Sequence, residues 1–470
     1  MDKPKLLSVD QAKLLTHSEI STIFCNHLNP GQFHFLKLLG FDKIVIDAAE
    51  GMYYHERSGR KILDFFGGFG AVAVGHNHPA ILSMRWKFQQ ENRHEIAIAF
   101  MSQYAAALAR NLSLLSPGDL DFVFLGTSGS EVNEAALKLA EKVQGPDRSK
   151  IAYADHSFHG KTRGSLSVTD SWLYRSGFQL LSNTQSIAFG DILALEKAFK
   201  EDPSIGILIL ETVQGGAGII LPPAGYWKQV RKLCDEYKVL WIADEVQCGM
   251  ARTGKFFAFE HEEVVPDMVT LAKSLGGAKT AMAAMISRKP IFLAGYGSSA
   301  NSLIHGPATF SGMGEACCTA IETLHIINDE GLAENSALQG TYLIEQLKGL
   351  QQRYPGILKE VRGQGLMIGL EFQDLSKTLR AGFSKLIAPL DERLRGSVCG
   401  MVGSLLFSNY DILVAFTEYN RNVIRLEPPL IVTREQVDFF VHSLGEILDR
   451  GIALIIADYL RKRVASWSFS

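Results

Sequence analysis

The stretch LWIADEVQCGMARTGKFFAFEHEEVVPDMVTLAKSLGG, residues 240–277, joins two short apolar runs that end in charged residues. The first run ends at Asp244 and Glu245, and the second ends at Lys273, which small residues and two glycines surround. Runs of this length and composition are typical of buried strands, so each charged group is expected at the carboxyl end of a strand. Open α/β sheets bind their ligands at that edge. The stretch therefore predicts a site that contains an acid and a lysine.

The chemistry of the two predicted site residues is complementary. A lysine among apolar residues has a lowered pKa and becomes a nucleophile that can form a Schiff base. An acid at the end of a buried strand needs a cationic partner, and a pyridinium nitrogen would supply one. The alternative at this point is an ion pair between Lys273 and Asp244 that serves structure alone.

A second stretch, FLGTSGSEVNEAALKLA at residues 124–140, predicts a strand that passes through a glycine-rich turn into a helix. Glycines allow close backbone approach, and the first N–H groups of a helix point outward, so Gly129 and Ser130 are candidates for an anion site. The alternative is a small-residue helix cap without a ligand. A phosphate site, an imine-forming lysine and an acid for a pyridinium nitrogen are together what pyridoxal phosphate requires.

Composition and charge narrow the class of protein. The chain has 470 residues, of which 47% are hydrophobic and 21% charged, as in ordinary globular proteins. A formal net charge of -3 without a basic patch argues against a nucleic-acid partner. No apolar stretch is long enough to span a membrane, and the opening MDKPKLLSVDQ is too charged for a secretory signal. Six scattered cysteines without CxxC spacing predict reduced thiols and a cytoplasmic protein.

The order of the elements predicts an α/β fold. Short apolar runs alternate with helical patterns in the middle of the chain, which indicates buried, mostly parallel strands between helices. The predicted domains are an N-terminal segment at 1–75 that is part of a small domain, a large cofactor-binding domain at 76–335, and a small C-terminal domain at 336–470. Residues 374–418 fit no clear element and are interpreted as a helical insertion. A β-hairpin is predicted in MYYHERSGRKILDF, residues 52–65.

Several motifs resemble those of one family in that family's order. They are the stretch at 240–277, GHNHP, TSGSEVNEAALKLA, FHGKTRGSLSVT, ETVQGGAGIILPP, HGPATFSGMGEACCTAIETL and IRLEPPLIVTREQVD. The resemblance is to the class III aminotransferases that depend on pyridoxal 5'-phosphate, the family of ornithine, acetylornithine, putrescine and ω-amino acid aminotransferases, and it covers most of residues 50–445. It implies fold type I, with a mostly parallel seven-stranded sheet sandwiched by helices plus a smaller α+β domain. It also implies a homodimer with shared active sites.

The resemblance implies roles for individual residues. For the cofactor, it implies Lys273 as the Schiff-base lysine and general base, Asp244 on the ring nitrogen, Gln247 on the ring hydroxyl, Gly129 and Ser130 on the phosphate, Phe158 stacked on the ring, Glu211 lining the site, and Thr309 on the phosphate held by the neighbouring subunit. For the substrate, it implies Arg425 as the carboxylate-binding residue, with Lys161 and Phe69 as further contacts.

Three positions depart from the family's pattern and bear on the substrate. Gly216 replaces the second glutamate of the ornithine-type motif, Lys161 stands where acetylornithine enzymes have arginine, and Ala308 stands where many members have a hydroxyl. The insertion, which is longer than usual, could widen the substrate entrance. These features favour a primary amine or ω-amino donor with an oxo acid or aldehyde acceptor. The alternatives are an isomerase on the same fold (an aminomutase or racemase) and a non-catalytic binding partner, against which the intact Lys273, Asp244 and Gln247 argue.

Histidines are frequent in the motif segments but do not follow the spacing of a metal site. They are His76, His78, His156, His159, His261 and His305. They are interpreted as loop and packing residues, and no metal site is predicted.

Overall fold

A computed structural model describes residues 6–97, 99–302, 308–374, 398–417 and 419–467 of the chain. Most of the insertion predicted at 374–418 lies outside the described residues, and so does His305.

Fifteen strands occur in the described residues. They are β1 Ile46–Glu50, β2 Tyr53–Glu56, β3 Lys61–Asp64, β4 Leu120–Gly126, β5 Lys150–Ala154, β6 Thr184–Ile187, β7 Ile205–Glu211, β8 Leu240–Asp244, β9 Met268–Leu271, β10 Ala283–Arg288, β11 Leu358–Gln364, β12 Met367–Phe372, β13 Ile412–Leu413, β14 Ala415–Phe416 and β15 Val423–Leu426.

The α-helices of the described residues lie before, between and after these strands. They are α1 Val9–Lys13, α2 His17–His27, α3 Pro30–Leu39, α4 Gly67–Gly70, α5 Pro79–Gln90, α6 Gln103–Leu115, α7 Gly129–Gln144, α8 Arg163–Ser167, α9 Trp172–Arg175, α10 Ile192–Glu201, α11 Tyr226–Tyr237, α12 Lys289–Tyr296, α13 Gly314–Asp329, α14 Leu332–Arg353, α15 Val398–Tyr410, α16 Arg434–Asp449 and α17 Gly451–Trp467. Short 3-10 turns occupy Pro146–Arg148, Ala258–Glu262 and Lys273–Gly276.

The central sheet has seven strands in the order β4-β10-β9-β8-β7-β5-β6. Strands β9, β8, β7, β5 and β6 are parallel to one another, whereas β10 is antiparallel to both β4 and β9. The antiparallel turn follows from the short connection after β9, because a parallel crossover needs a dozen or more residues. The predicted seven-stranded, mostly parallel sheet is therefore confirmed.

Both faces of the central sheet are covered by helices. All seven residues of β7 are buried, and side chains alternate between two apolar clusters along the strand. On one face Ile207 and Ile209 join the apolar stripe of α7, whose buried residues recur at helical spacing. On the other face Trp241 of β8 stacks on Trp227 of α11 with ring centroids 5.5 Å apart. Strands buried on both faces explain why the sequence shows unbroken apolar runs there.

Two four-stranded sheets lie outside the central sheet, in the orders β1-β2-β3-β13 and β11-β12-β15-β14. The predicted hairpin is confirmed as the antiparallel pair β2–β3, whose turn contains Gly59 at φ 92°. Strand β13 pairs with β3 in parallel, so distant parts of the chain build one sheet. Helix α14 runs across the predicted boundary at residue 336, and the division into domains stays a prediction.

Three details differ from the pattern expected from sequence. The edge strand β6 was not predicted, because three of its four residues are polar. The long helical tail is two helices, α16 and α17, divided at Gly451 with φ 72°. In the second half of the predicted insertion, Val398–Tyr410 form helix α15, as expected, but β13 and β14 follow it as two short strands that were not predicted. Within the described ranges no helix has the length and apolar character needed to cross a membrane.

Candidate active site

A cavity of about 570 Å³ opens at the carboxyl edge of the central sheet. Its walls come from the ends of β7 and β8, the start of α7, and the turns that follow β5 and β9. Seven of the residues implicated by sequence line this cavity: Gly129, Ser130, Phe158, Glu211, Asp244, Gln247 and Lys273. The residues assigned to cofactor contact thus converge on one site, with the exception of Thr309.

The register of the parallel strands explains why the charged side chains meet. Glu211 and Asp244 are directly paired as the last residues of β7 and β8, and Asp244 is paired with Thr270 of β9. Lys273 follows β9 by two residues. Because parallel strands end at the same edge, two acids and one lysine reach a single cavity.

Asp244 is buried and held by three hydrogen bonds. Its Oδ2 accepts from Asn133 Nδ2 at 2.7 Å and lies 2.7 Å from Nδ1 of His159, while its Oδ1 accepts from the backbone N–H of Val246 at 3.0 Å. These contacts fix the plane of the carboxylate at the wall of the cavity.

Asn133 and His159 are functional-site residues that the sequence analysis missed. Asn133 lies on the buried face of α7, where its amide bridges Asp244 to the backbone oxygen of His159 and its Oδ1 accepts from Thr270 Oγ1. His159, interpreted from sequence as a packing residue, is buried and contacts Asp244 directly. The available signal was an asparagine on the apolar face of a helix, since a buried amide requires partners.

Glu245, the second acid of the opening stretch, faces away from the cavity. It is buried, and its carboxylate accepts hydrogen bonds from Thr212 Oγ1 and from the backbone N–H groups of Ala258 and Phe259 at 2.7–2.9 Å. Burial raises the pKa of this carboxyl to about 7. Glu245 thus anchors the turn at residues 258–259, and of the two adjacent acids only Asp244 reaches the cavity.

Glu211 is buried beside Asp244. Its two oxygens accept from the backbone N–H groups of Phe158 at 2.9 Å and Gly215 at 3.2 Å. Burial raises the pKa of Glu211 to about 7, opposed by His159 and reinforced by the charge of Asp244.

Lys273 begins a 3-10 turn and adopts a left-handed conformation with φ 46°, which is uncommon for a residue other than glycine. Burial lowers the pKa of its amine, against the opposing effect of Glu427 and the acids of the cavity, and Arg425 lowers it further. A lysine with a lowered pKa is the kind of nucleophile that was predicted at this position.

The start of α7 has the features expected of an anion site. Ser128 caps the helix by accepting from the N–H of Glu131, and Thr127 bonds to the Glu131 carboxylate. Within the described part of the chain, the N–H groups of Gly129 and Ser130 have no hydrogen-bond partner, and both residues border the cavity. A Cβ atom on Gly129 would lie 2.9 Å from Val246, so glycine permits this close approach. Free N–H groups at the positive end of a 16-residue helix suit a phosphate.

Phe158 and Gln247 complete the cavity wall. The ring of Phe158 makes an edge contact with Tyr174 at 5.8 Å between centroids. Gln247 donates from Nε2 to Glu427 Oε1 at 2.7 Å. Both side chains are partly exposed, which leaves surface for a ligand in the cavity.

Four residues implicated by sequence lie outside the lining of this cavity. Thr309 is exposed on the protein surface. Lys161 is exposed and lines a neighbouring cavity of about 360 Å³, with its Nζ 4.0 Å from the centroid of the Tyr174 ring. Arg425 is buried, donates to the backbone oxygens of Gly215 and Phe416, and lies 4.7 Å from the ring centroid of Phe69, which is half-exposed.

Gly216, the position without the ornithine-type glutamate, packs against aromatic residues. A Cβ atom there would lie 3.3 Å from the ring of Tyr419 and 3.5 Å from Cβ of Phe158. Tyr419 is held by donating its hydroxyl to the backbone oxygen of Ser157 at 2.7 Å. A longer side chain at 216 would therefore have to displace Tyr419.

The residues of the cavity fit pyridoxal phosphate. The unpaired N–H groups at the start of α7 suit its phosphate, and Asp244, fixed by Asn133 and His159, suits a protonated ring nitrogen. Lys273 is on the same wall, within the lining of the cavity. No group of three or more histidine, cysteine, aspartate or glutamate side chains is arranged to hold a metal ion in the ranges that the structure describes.

Comparison with known proteins agrees with this fit. The family profile described as Aminotransferase class-III matches residues 40–448, which is most of the chain. The chain therefore belongs to the class III aminotransferases, which are enzymes that depend on pyridoxal phosphate and act on small amines and oxo acids.

Solved structures show the same fold. Ornithine aminotransferase from Toxoplasma gondii ME49 is 27% identical, with a TM-score of 0.79 over 93% of this chain and 96% of that one. A transaminase from the marine bacterium Virgibacillus is 28% identical, with a TM-score of 0.78 over 89% and 94%. Acetylornithine aminotransferase from Elizabethkingia anophelis is 26% identical, with a TM-score of 0.69 over 86% and 93%. These similarities confirm the predicted fold class.

We predict that Glu211 makes stability depend on pH in the cofactor-free protein. Its pKa is raised in the folded state, so the folded state retains a proton that the unfolded chain releases between the ordinary glutamate pKa of 4.5 and about 7. Stability contributed at this position is present below that range and is lost as the pH rises through it. Denaturant unfolding of the wild type and Glu211→Gln at pH 5, 6, 7 and 8 should show the wild type losing stability relative to the variant. A constant difference across the four pH values would contradict this prediction.

Proposed function

We propose that this aminotransferase takes its amino group from a primary amine or ω-amino donor and passes it to an oxo acid or aldehyde. The observation that carries the proposal is the wall at Gly216. Where ornithine-type enzymes have a glutamate, this chain has no side chain, and Tyr419 occupies the adjoining space. Position 216 therefore supplies no acid side chain to the site, and this departure from the ornithine-type motif favours a primary amine or ω-amino donor.

The cofactor would be held by residues on three sides of the cavity. Gly129 and Ser130 would bind the phosphate, Phe158 would stack on the ring, and Gln247 would contact the ring hydroxyl. Asp244 would pair with the ring nitrogen and keep it protonated. When bound, pyridoxal phosphate supplies the electron sink for the carbon that carries the transferred amino group.

Lys273 is proposed to attach the cofactor covalently and then to move the substrate proton. Burial and Arg425 lower the pKa of its amine, so that a larger fraction is neutral near physiological pH. A neutral amine at Nζ can accept a proton and return it, which is the task of a general base. Glu211, buried next to Asp244, would act on Lys273 through its charge when it is ionised, because a nearby negative charge raises the pKa of an amine.

The function is tested by titrating the cofactor-loaded protein with putrescine, β-alanine, ornithine and longer alkyl amines while its absorbance is recorded. We expect loss of the long-wavelength band of the bound cofactor with primary amines or ω-amino acids, followed by recovery on addition of an oxo acid or aldehyde. Transfer of ¹⁵N from a labelled amine to the acceptor identifies the donor class.

Lys273→Ala is the matched control for this titration. It should lose the covalent cofactor, detected by mass spectrometry after borohydride reduction, and lose at least about 100-fold in turnover because the base is absent. A donor that reacts with no acceptor present and gives a rearranged product would instead indicate an isomerase. Absence of ¹⁵N transfer from any amine of the panel would contradict the proposed donor class.

Arg425 is proposed to bind the carboxylate of the oxo-acid acceptor. Its guanidinium is buried beside Phe69 and close enough to Lys273 to affect its pKa, although the side chain is outside the cavity lining. Arg425→Ala should raise KM for oxo acids at least about tenfold, since hydrogen bonds to a charged group are lost, and leave KM for simple amines little changed. Arg425→Lys, which keeps the charge but not the planar fork, should recover only part of the loss. Equal effects on both substrates would remove Arg425 from carboxylate recognition.

A homodimer with shared active sites is supported by an exposed apolar surface. Met101 is 98% exposed, Phe100 82% and Phe310 57%. The backbone hydrogen bond from Gly314 to Glu95 places the segment after residue 308 beside the segment at 95–101. Exposed apolar patches of this kind mark interfaces, and Thr309, adjacent to Phe310, would then contact the cofactor of the neighbouring subunit.

Sedimentation velocity tests the dimer. We expect the wild type to sediment as a dimer and Met101→Glu to shift toward monomer, because a charge would be buried at the interface. Leu193→Glu places the same charge on an exposed leucine of α10 and should leave the dimer intact. A monomeric wild type would contradict the proposal.

A cytoplasmic location is also proposed. All six cysteines are free thiols, and five of them are buried. Reduced thiols are usual in the cytoplasm. Cell fractionation is the direct check, and recovery of the protein in a membrane or secreted fraction would contradict it.

A further inference from the structure

Glu427 is a fully buried acid that the sequence analysis did not consider. It follows β15, two residues after Arg425, and its side chain is 0% exposed. Its Oε1 accepts from Gln247 Nε2 at 2.7 Å. Its Oε2 has no hydrogen-bond partner among the described residues. Burying a carboxylate with an unsatisfied oxygen costs folding free energy, so a role for this group in the site is expected.

A glycine loop connects Glu427 to the turn that carries Lys273. Gly67 and Gly70 lie directly against Glu427, because a Cβ atom on Gly67 would be 2.0 Å from its backbone oxygen and one on Gly70 would be 3.2 Å from Oε1. The backbone oxygen of Gly70 accepts from Ser274 Oγ at 2.6 Å. Glu427 is therefore one loop away from Lys273, the residue that precedes Ser274.

The hydrogen bond from Gln247 fixes the orientation of its amide. A carboxylate only accepts hydrogen bonds, so Gln247 must turn its nitrogen toward Glu427. The other end of the amide lies toward Gly215, where a Cβ atom would be 2.1 Å from Gln247 Oε1. An amide nitrogen carries two hydrogens, and the second one remains for a ligand of the cavity.

The charges around Lys273 and Glu427 come from several elements. Burial lowers the pKa of the Lys273 amine and Arg425 lowers it further, whereas Glu427, Asp244 and Glu211 act in the opposite direction. Burial lowers the pKa of Arg252 to about 10, against the effects of Glu427 and Asp64. Glu427 is thus an acid whose charge opposes the lowering of the Lys273 pKa, and it lies one glycine loop away from that lysine.

We propose that Glu427 is a positioning residue of this site, whose carboxylate sets the orientation of the Gln247 amide and supplies the negative charge beside Lys273. This inference rests on the proposed function because it assumes the roles of Lys273 and Gln247 toward the cofactor. Position 216 carries no side chain, and Glu427, which follows β15, bonds to Gln247, whose amide lies against Gly215.

The experiment follows the protonation of Lys273 in Glu427→Gln, which keeps the shape of the side chain and removes its charge. The absorbance of the full-length, cofactor-loaded protein is recorded across pH. After removal of the cofactor, labelling of Lys273 by acetic anhydride is quantified by mass spectrometry across pH. In Glu427→Gln we expect the midpoints to move about one pH unit lower than in the wild type, because a protonated nitrogen at Lys273 loses a nearby negative charge.

Glu371→Gln is the matched control. Glu371 is a buried carboxylate on β12, the neighbour of β15, and pairs with Lys359 and Arg362 rather than with the site. This variant removes the same charge from the same sheet and should leave both midpoints at the wild-type pH. Glu427→Asp keeps the charge but withdraws it by one methylene, so its midpoints should shift in the same direction by less.

The outcomes separate this inference from the proposed function. A Glu427→Gln protein with wild-type thermal unfolding and unchanged midpoints overturns the inference. If that variant does not fold, unshifted midpoints in Glu427→Asp overturn it. Neither the absorbance measurement nor the labelling measurement uses an amine donor. Failure of every amine in the panel would therefore not affect this inference, and unchanged midpoints would not affect the proposed donor class.

Discussion

The common carboxyl edge of β7, β8 and β9 is the constraint on which the site depends. The parallel register sets Glu211 directly beside Asp244, and the turn after β9 brings Lys273 to the same edge. Burial raises the pKa of Glu211, and the neighbouring charge of Asp244 adds to the effect. The fold therefore places several charged groups together at a point where they do not stabilise the protein without a ligand, which is typical of a functional site.

Hydrogen bonds from neighbouring polar groups offset the cost of burying these charges. Asn133, itself fully bonded, links Asp244 to strand β9 through Thr270 and to the loop at His159. Backbone N–H groups satisfy the oxygens of Glu211. Buried polar networks of this kind are stable when their members are paired, and they hold side chains in one arrangement before a ligand arrives.

Much of the fold was predictable, because strands buried on both faces leave unbroken apolar runs such as IGILILE in β7. The edge strand β6 was not, since a strand with polar residues has no such signature. In the site, the ends of apolar runs pointed to Asp244 and Lys273 from chemistry alone. Asn133 and Glu427 escaped notice because their importance arises from partners distant in sequence. The type of a residue also does not show whether its side chain lines the cavity. Lys161 and Arg425 were predicted to contact the substrate but lie outside the cavity lining.

The adjacent acids Asp244 and Glu245 have a consequence for how strand β8 can vary. Successive side chains at a strand end point to opposite sides, so one acid serves the cavity and the other anchors the turn at residues 258–259. Loss of one residue within Leu240–Asp244 would bring Glu245 to the cavity position and Val246 to the turn position, whereas gain of one residue would bring Asp244 to the turn position and leave the cavity without this acid. A change in the length of β8 would therefore cost activity and folding together.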